Sequence, residues 1–266
     1  MAETAQLPPP KVEDDELKGS EAPLLDHLIE LRKRLIYALI AVVVFFLACF
    51  AFAKQIYDLL LLPFRWAGGS SMIFTAPQEL FFTYMNVALF GAIFLAFPII
   101  AGQIYAFVAP GLYKRERRAF LPFLVAAPVL FVLGAALVYY MIMPFVLFVS
   151  LSQQIVGGTG ISVQLLPKVS DYFDLLTTLI LAFGLFFQLP VVLTLVAMAG
   201  LVSSKMLISG WRFAVAGIVI AAAIVTPPDP FSMTFLSLPI IALYFISIGC
   251  VRLIEGRRAK EDAAVA

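Results

Sequence analysis

Six apolar stretches separated by short polar connections set the frame for this chain. They run approximately from Leu35 to Ala53, Leu80 to Ala106, Ala119 to Met143, Tyr172 to Ala199, Trp211 to Val225 and Phe231 to Val251. A helix rises about 1.5 Å per residue and needs about 20 residues to cross a hydrocarbon core about 30 Å thick. The first four stretches are long enough. The fourth, at 28 residues, covers roughly 42 Å as a helix and must tilt or protrude. The fifth, at 15 residues, reaches only about 22 Å, so a re-entrant hairpin is the alternative to full crossing for the last pair. Composition agrees: 62% of the 266 residues are hydrophobic and 13% charged, and mean hydropathy is +1.01, whereas soluble domains have about 45–50% apolar and about 25% charged residues. The chain reads as an all-α polytopic membrane protein of six transmembrane helices, the last two short.

The basic residues predict how it is threaded. Lys and Arg number 15 in the N-terminal tail and first helix, the second and fourth connections and the C-terminus, against 3 (Lys54, Arg65 and Lys168) in the intervening connections. Positive charge collects on the cytoplasmic side of membrane proteins, so both termini are expected there. Residues 1–22 carry Pro8, Pro9 and Pro10 and an acidic patch at Glu13 to Glu16. That composition reads as a disordered cytoplasmic tail, followed by a membrane domain over 23–252 and a second cytoplasmic tail over 253–266. Leu24, Leu28, Leu31 and Leu35 recur at helical spacing and lead into the first span. The outward stretch from Lys54 to Phe82 is broken by Pro63, Gly68, Gly69 and Pro77 and suggests short surface helices. Pro98, Pro122, Pro128, Pro190 and Pro239 fall inside apolar stretches and predict kinks.

Several function classes lose support at once. No Asp, Glu, Lys, Arg or His falls at mid-depth in any of the six stretches, whereas proton-coupled transporters place ionisable groups along their path. No internal repeat or inverted pair of broken helices is visible, which weakens a small-solute transporter reading further. One His and two Cys are too few for a His/Cys metal cluster, and no nucleophile, base or zinc motif of a membrane-embedded enzyme is present. A net charge of +1 supplies no field for nucleic acid. The strongly polar residue left at mid-depth is Gln188 in Phe183-Gly184-Leu185-Phe186-Phe187-Gln188-Leu189-Pro190. Its structural reading is an interhelical hydrogen bond worth about 1 kcal/mol.

Polar chemistry is confined to three short motifs. In the second connection, Lys114-Arg115-Glu116-Arg117-Arg118 sets one carboxylate among four cations. On a solvated surface such a carboxylate is only neutralised by its neighbours. Near the N-terminus, His27-Leu28-Ile29-Glu30-Leu31-Arg32-Lys33-Arg34 places Glu30 four residues before Arg34, the favoured orientation for a helical ion pair. Asp229, in Thr226-Pro227-Pro228-Asp229-Pro230, occupies a tight turn and on sequence grounds bonds its own backbone there.

Together with Phe107-Val108-Ala109-Pro110-Gly111-Leu112-Tyr113, these motifs, in this order and at these depths, resemble those of the TatC family, the multispanning core of the twin-arginine protein export system. The resemblance covers about Leu24 to Arg252. It implies a concave, glove-like helical scaffold and a non-enzymatic receptor, without cofactor, for folded cargo whose signal peptides carry consecutive arginines. The glutamates matching Glu30 and Glu116, with Arg32 and Arg118 beside them, are then the cytoplasmic signal-peptide site. Pro110, Gln188 and Asp229 are the positions expected to serve transport or partner contact. Implied partners are the single-span TatB and TatA subunits and further copies in a hetero-oligomeric complex, with the proton-motive force as driver. Many members carry Glu where this chain has Gln188, so a titrating role at that position does not carry over. Physical chemistry agrees with the site: a guanidinium is a rigid planar fork that a carboxylate accepts bidentately and Lys cannot imitate. Two arginines call for two carboxylates on one face.

Overall fold

A computed structural model describes residues 13–108, 121–154, 165–225 and 230–265. The elements are α1 (Glu13–Ala51), α2 (Ala53–Leu60), α3 (Leu62–Trp66), α4 (Glu79–Val108), α5 (Leu121–Leu137), α6 (Met143–Ser152), α7 (Val169–Phe186), α8 (Leu189–Met198), α9 (Ser204–Ser209), α10 (Trp211–Val225) and α11 (Pro230–Val265). Among the described residues there is no strand, only an isolated parallel bridge between Ile73 and Lys168. Five helical stretches are long and apolar enough to cross a membrane: Leu28–Ala51, Glu79–Phe107, Phe123–Ser152, Val169–Met198 and Pro230–Gly256. The shorter apolar helix is Trp211–Val225. Of the last pair, then, only α10 is short: the apolar part of α11 is 27 residues, because the helix continues past Val251 through Leu253 and Ile254. α1 and α11 also run beyond the ends of the membrane domain drawn from composition, α1 starting at Glu13 and α11 reaching Val265. Glu, Leu and Lys in those stretches are good helix formers.

Proline acts in three ways along these helices. Pro98, Pro128 and Pro239 are accommodated inside α4, α5 and α11. Pro144 stands in the first turn of α6, directly after a π-helical turn over Val138–Ile142. The Pro144 ring has no N–H to continue the i→i−4 ladder, and the chain widens by one residue there, with the Met143 amide donating to the Val138 carbonyl. The third apolar stretch thereby continues to Ser152 instead of ending near Met143. At Pro190 the helix breaks outright, and Phe187 and Gln188 separate α7 from α8.

The centre of the protein is α4 and α5 packed on α7, with Phe173, Leu176, Leu179 and Phe183 fully buried. α5 and α7 approach closely because glycines face each helix. A Cβ on Gly134 would meet the Phe183 carbonyl oxygen at 2.7 Å. One on Gly184 would strike the ring of Phe131, which is itself stacked on Phe97 at 3.8 Å. Small residues serve membrane helices this way, since lipid gives no hydrophobic drive for helices to meet and close van der Waals packing must do so. Outside this centre, α1 lies along α4, and α8 and α10 lie against α11. The two short helices anticipated between the first spans are α2 and α3, and Tyr57 on α2 stacks on Phe173 at 4.4 Å.

Candidate functional site

Glu30 lies on α1 where that helix meets the C-terminal part of α4. The ion pair expected from the i,i+4 spacing is formed: Arg34 Nη2 and Nε donate to Glu30 Oε1 at 2.7 and 3.1 Å. The remaining face of the guanidinium turns to α4, where Arg34 Nη1 donates to Gln103 Oε1 at 3.4 Å. Both side chains stay partly open, Glu30 at 34% and Arg34 at 29% exposure. All hydrogen bonds to Glu30 among the described residues fall on Oε1, so Oε2 accepts none there, and the residue lines a recess of about 430 Å³ with Ile29, Lys33, Arg34 and Tyr37. Arg32 is exposed and lines the next recess along the helix with Lys33, Ile36 and Tyr37. Lys33 and Arg34 share the recess with Glu30 and Arg32 lines the adjoining one, so net charge alone attracts a cationic ligand poorly. A guanidinium is held here only by close, directional hydrogen bonds.

Glu116, Arg118, Pro110 and Asp229 lie outside the described residues. α4 ends at Val108, five residues beyond Gln103 and so about 8 Å further along the helix axis. The C-terminal end of α4 thus lies about one and a half turns past the contact with Arg34, and Pro110, Glu116 and Arg118 follow it in sequence. Asp229 falls in the connection between α10 and α11.

Gln188 is buried, at 7% exposure, and its geometry follows from the helix break. The Gln188 backbone amide donates to the Leu185 carbonyl at 2.9 Å, one residue short of the α-helical partner. The Gly184 carbonyl is thereby released, and the side-chain Nε2 of Gln188 donates to it at 3.3 Å and to the Ala127 carbonyl of α5 at 2.9 Å. The interhelical hydrogen bond read from sequence is present, and it lies within this chain. One side chain mends the α7–α8 break and ties it to α5.

A second carboxylate, just before the second apolar stretch, is more tightly held than Glu30. Glu79 opens α4 and is 7% exposed. Its Oε2 accepts from the Thr75 amide at 2.7 Å and the Thr75 hydroxyl at 3.1 Å, and its Oε1 accepts from the Ser170 amide at 3.2 Å. Lys168 Nζ stands 3.8 Å from Oε2. The adjoining backbone is paired too, the Ile73 amide donating to Pro167 at 3.1 Å and the Val169 amide to Ile73 at 2.9 Å. This clasp fastens the connection before α4 to the start of α7. Its local half was legible in Thr75-Ala76-Pro77-Gln78-Glu79, a polar pair flanking a helix start. The half supplied by Lys168 and Ser170 was not.

Comparison with known proteins places this arrangement. A family model described as "Sec-independent protein translocase protein (TatC)" matches residues 26–239. The Sec-independent protein translocase protein TatC of Magnetococcus marinus is 42% identical over 246 residues, 92% of this chain and 89% of the relative. The protein of that description from Escherichia coli K12 is 36% identical over 243 residues, 90% of this chain and 92% of the relative. Among solved structures, a crystal structure of the twin-arginine translocase receptor TatC superposes with a TM-score of 0.75 at 31% identity, covering 85% of this chain and 98% of that one. With an all-helical membrane architecture, three polar motifs on its ends and a family match over most of its length, the chain belongs to the TatC family of Sec-independent protein translocases and is a component of a Tat system.

Proposed function

We propose that this protein is the signal-peptide receptor of its Tat system, gripping the paired arginines of exported cargo between the carboxylates of Glu30 and Glu116. The observation that carries the reading is the half-open Glu30. Its Oε1 is fixed by Arg34, itself braced on Gln103 of α4, while Oε2 has no hydrogen bond among the described residues and the side chain lines an open recess. A carboxylate held in place yet incompletely used can accept a guanidinium without first being ordered, which lowers the entropic cost of binding. Arg32 and Arg118 flank the pair and favour a ligand that competes by geometry over one that competes by charge. The apolar part of the signal peptide adds binding along exposed faces such as those of Leu28, Leu35 and Leu39 on α1. The protein acts without catalysis or cofactor. TatB- and TatA-type single-span subunits and further copies complete the translocase, and the proton-motive force drives it. Pro110, Gln188 and Asp229 contribute to assembly or transport. Both termini and the Glu30 site face the cytoplasm, in the cell membrane, an orientation that the distribution of Lys and Arg supports.

The test is a binding measurement on purified full-length protein in nanodiscs, with a synthetic twin-Arg signal peptide and its Lys-Lys counterpart. The Arg-Arg peptide is expected to bind at least tenfold more tightly, the loss of one charge-assisted fork being worth about 1.5–3 kcal/mol. Equal affinity for the two peptides sinks the proposal. Orientation is checked with single cysteines at the exposed Ser71 and Ser209 in a chain whose Cys49 and Cys250 have been replaced. Ser209 should label from the cytoplasmic side and Ser71 from the opposite one.

A further inference from the structure

The last three helices carry a second charged recess that the peptide site does not use. α9, the start of α10 and the C-terminal half of α11 enclose a groove of about 450 Å³ lined by Ile208, Trp211, Phe245, Ile248, Gly249 and Arg252. Its walls are tied together at two heights. The Tyr244 hydroxyl of α11 donates to the Leu207 carbonyl of α9 at 2.7 Å. Below it, Glu255 of α11 accepts from the Ser204 amide at 2.9 Å and the Ser204 hydroxyl at 2.5 Å. The groove is therefore preformed.

Its chemistry is divided along the length of α11. Ile208, Phe245 and Ile248 make an apolar wall, and Gly249 leaves its floor open, with nothing within 4 Å of where a Cβ would stand. At the polar end, Arg252 is exposed and makes no salt bridge among the described residues. Arg212 lies over the ring of Trp211 at 5.9 Å, and Lys205 is exposed one turn away on α9. Glu255, the carboxylate close enough for Arg252 and Lys205 to act on, is occupied by Ser204. Among the described side chains, three cations against one engaged carboxylate leave this end of the groove positive. α7 begins at the Glu79 clasp, so the chain beyond α8 returns to the Glu30 end of the molecule. Trp and Arg at such a level are membrane-interface residues.

We infer that this α9–α10–α11 groove binds one anionic phospholipid of the leaflet on the Glu30 side, its phosphate on Arg252 and its glycerol and upper acyl segment along Ile208, Phe245 and Ile248. Charge complementarity selects the occupant: a basic pocket between membrane helices suits an anionic headgroup, and the guanidinium fork matches phosphate oxygens. A purely apolar partner helix would leave Arg252 buried and unpaired.

The experiment is native mass spectrometry of the full-length protein released from nanodiscs of equal parts phosphatidylglycerol and phosphatidylcholine. Wild type should retain phosphatidylglycerol several-fold over phosphatidylcholine. Arg252→Gln should lower that retention about fivefold, the worth of one interfacial cation. Gly249→Leu, which fills open space without touching backbone, should lower it at least as much. Arg65→Gln, on an exposed cation at the opposite end of the molecule, should change nothing. Equal retention of the two lipids by wild type overturns the inference, as does unchanged retention in Arg252→Gln or an equal loss in Arg65→Gln. Should Gly249→Leu not yield folded protein, the exposed Arg252 still decides. Twin-Arg peptide binding is measured on the same samples and is expected to be unaffected, which separates failure of this site from failure of the receptor reading.

Discussion

Glu79 and Glu30 sit near opposite ends of α4, about 36 Å apart by helix rise, and they illustrate two uses of a carboxylate in a membrane protein. Glu79 is buried at a helix N-terminus, where the dipole favours negative charge, and both of its oxygens are taken by Thr75, Ser170 and Lys168. Nothing is left for a ligand. Glu30 is a third exposed and spends a single oxygen on a partner of its own helix. A carboxylate closed on every side holds the fold, and one that is fixed but half used is available for binding. The contrast is in the partners, since the two side chains are chemically identical.

The sharpest way to break this comparison is Glu79→Ala. It leaves two part-buried amides and a hydroxyl without their acceptor and is expected to cost about 3 kcal/mol, lowering the melting temperature by roughly 6–12 °C. Thermal unfolding in detergent, read by retained monodispersity, checks it, and a wild-type transition would remove Glu79 from the structural role. Glu30→Gln should do the reverse. Its pair with Arg34 is partly exposed and contributes under about 1 kcal/mol to stability, while twin-Arg peptide affinity should fall about ten- to a hundredfold. Adding Glu116→Gln should cost less than the sum of the single losses if both carboxylates grip one guanidinium pair. Normal peptide binding in the double variant would return both glutamates to ordinary surface charge.

Gln188 tests whether the closed class extends to mid-membrane. Gln188→Leu removes the bonds to Ala127 and Gly184 and should cost about 1 kcal/mol of stability, seen as a small shift in the same unfolding assay. Gln188→Glu should lie close to wild type, since a buried neutral carboxyl can donate to Ala127 as the amide does. A large destabilisation by Glu would show that this buried position cannot hold a neutral acid. The smallest effect belongs to Gln103→Ala. It releases Arg34 from a long 3.4 Å contact and should weaken peptide binding only two- to fivefold, without moving the unfolding transition. A loss as large as that of Glu30→Gln would mean that Gln103 itself touches the peptide.

Local patterns were legible wherever the partners are close in sequence. Apolar runs gave the spans, the Lys and Arg distribution gave an orientation to test, and the four-residue spacing of Glu30 and Arg34 gave a pair that the structure forms. The place of Gln188 in an apolar run also announced an interhelical hydrogen bond, though not its acceptor. The Ala127 carbonyl is 61 residues away and no side-chain pattern advertises a backbone oxygen. Reading Met143 as the end of the third span failed because an apolar count cannot see that a π-helical turn lets the helix continue through Pro144.

What sequence alone determined, then, is that this chain must live in a bilayer and carry its polar chemistry at the ends of its helices, for hydropathy and charge are sums over neighbouring residues. Only tertiary structure decided which of those end residues are free. Glu79 is spent because α7 begins beside it, with Ser170 reaching it across 91 residues of chain. Glu30 keeps an oxygen unbonded among the described residues, where the α4 group that meets its helix is a neutral amide, Gln103, which engages Arg34. Whether a side chain is satisfied is set by what packs against it, and that is fixed by helix contacts no local pattern contains.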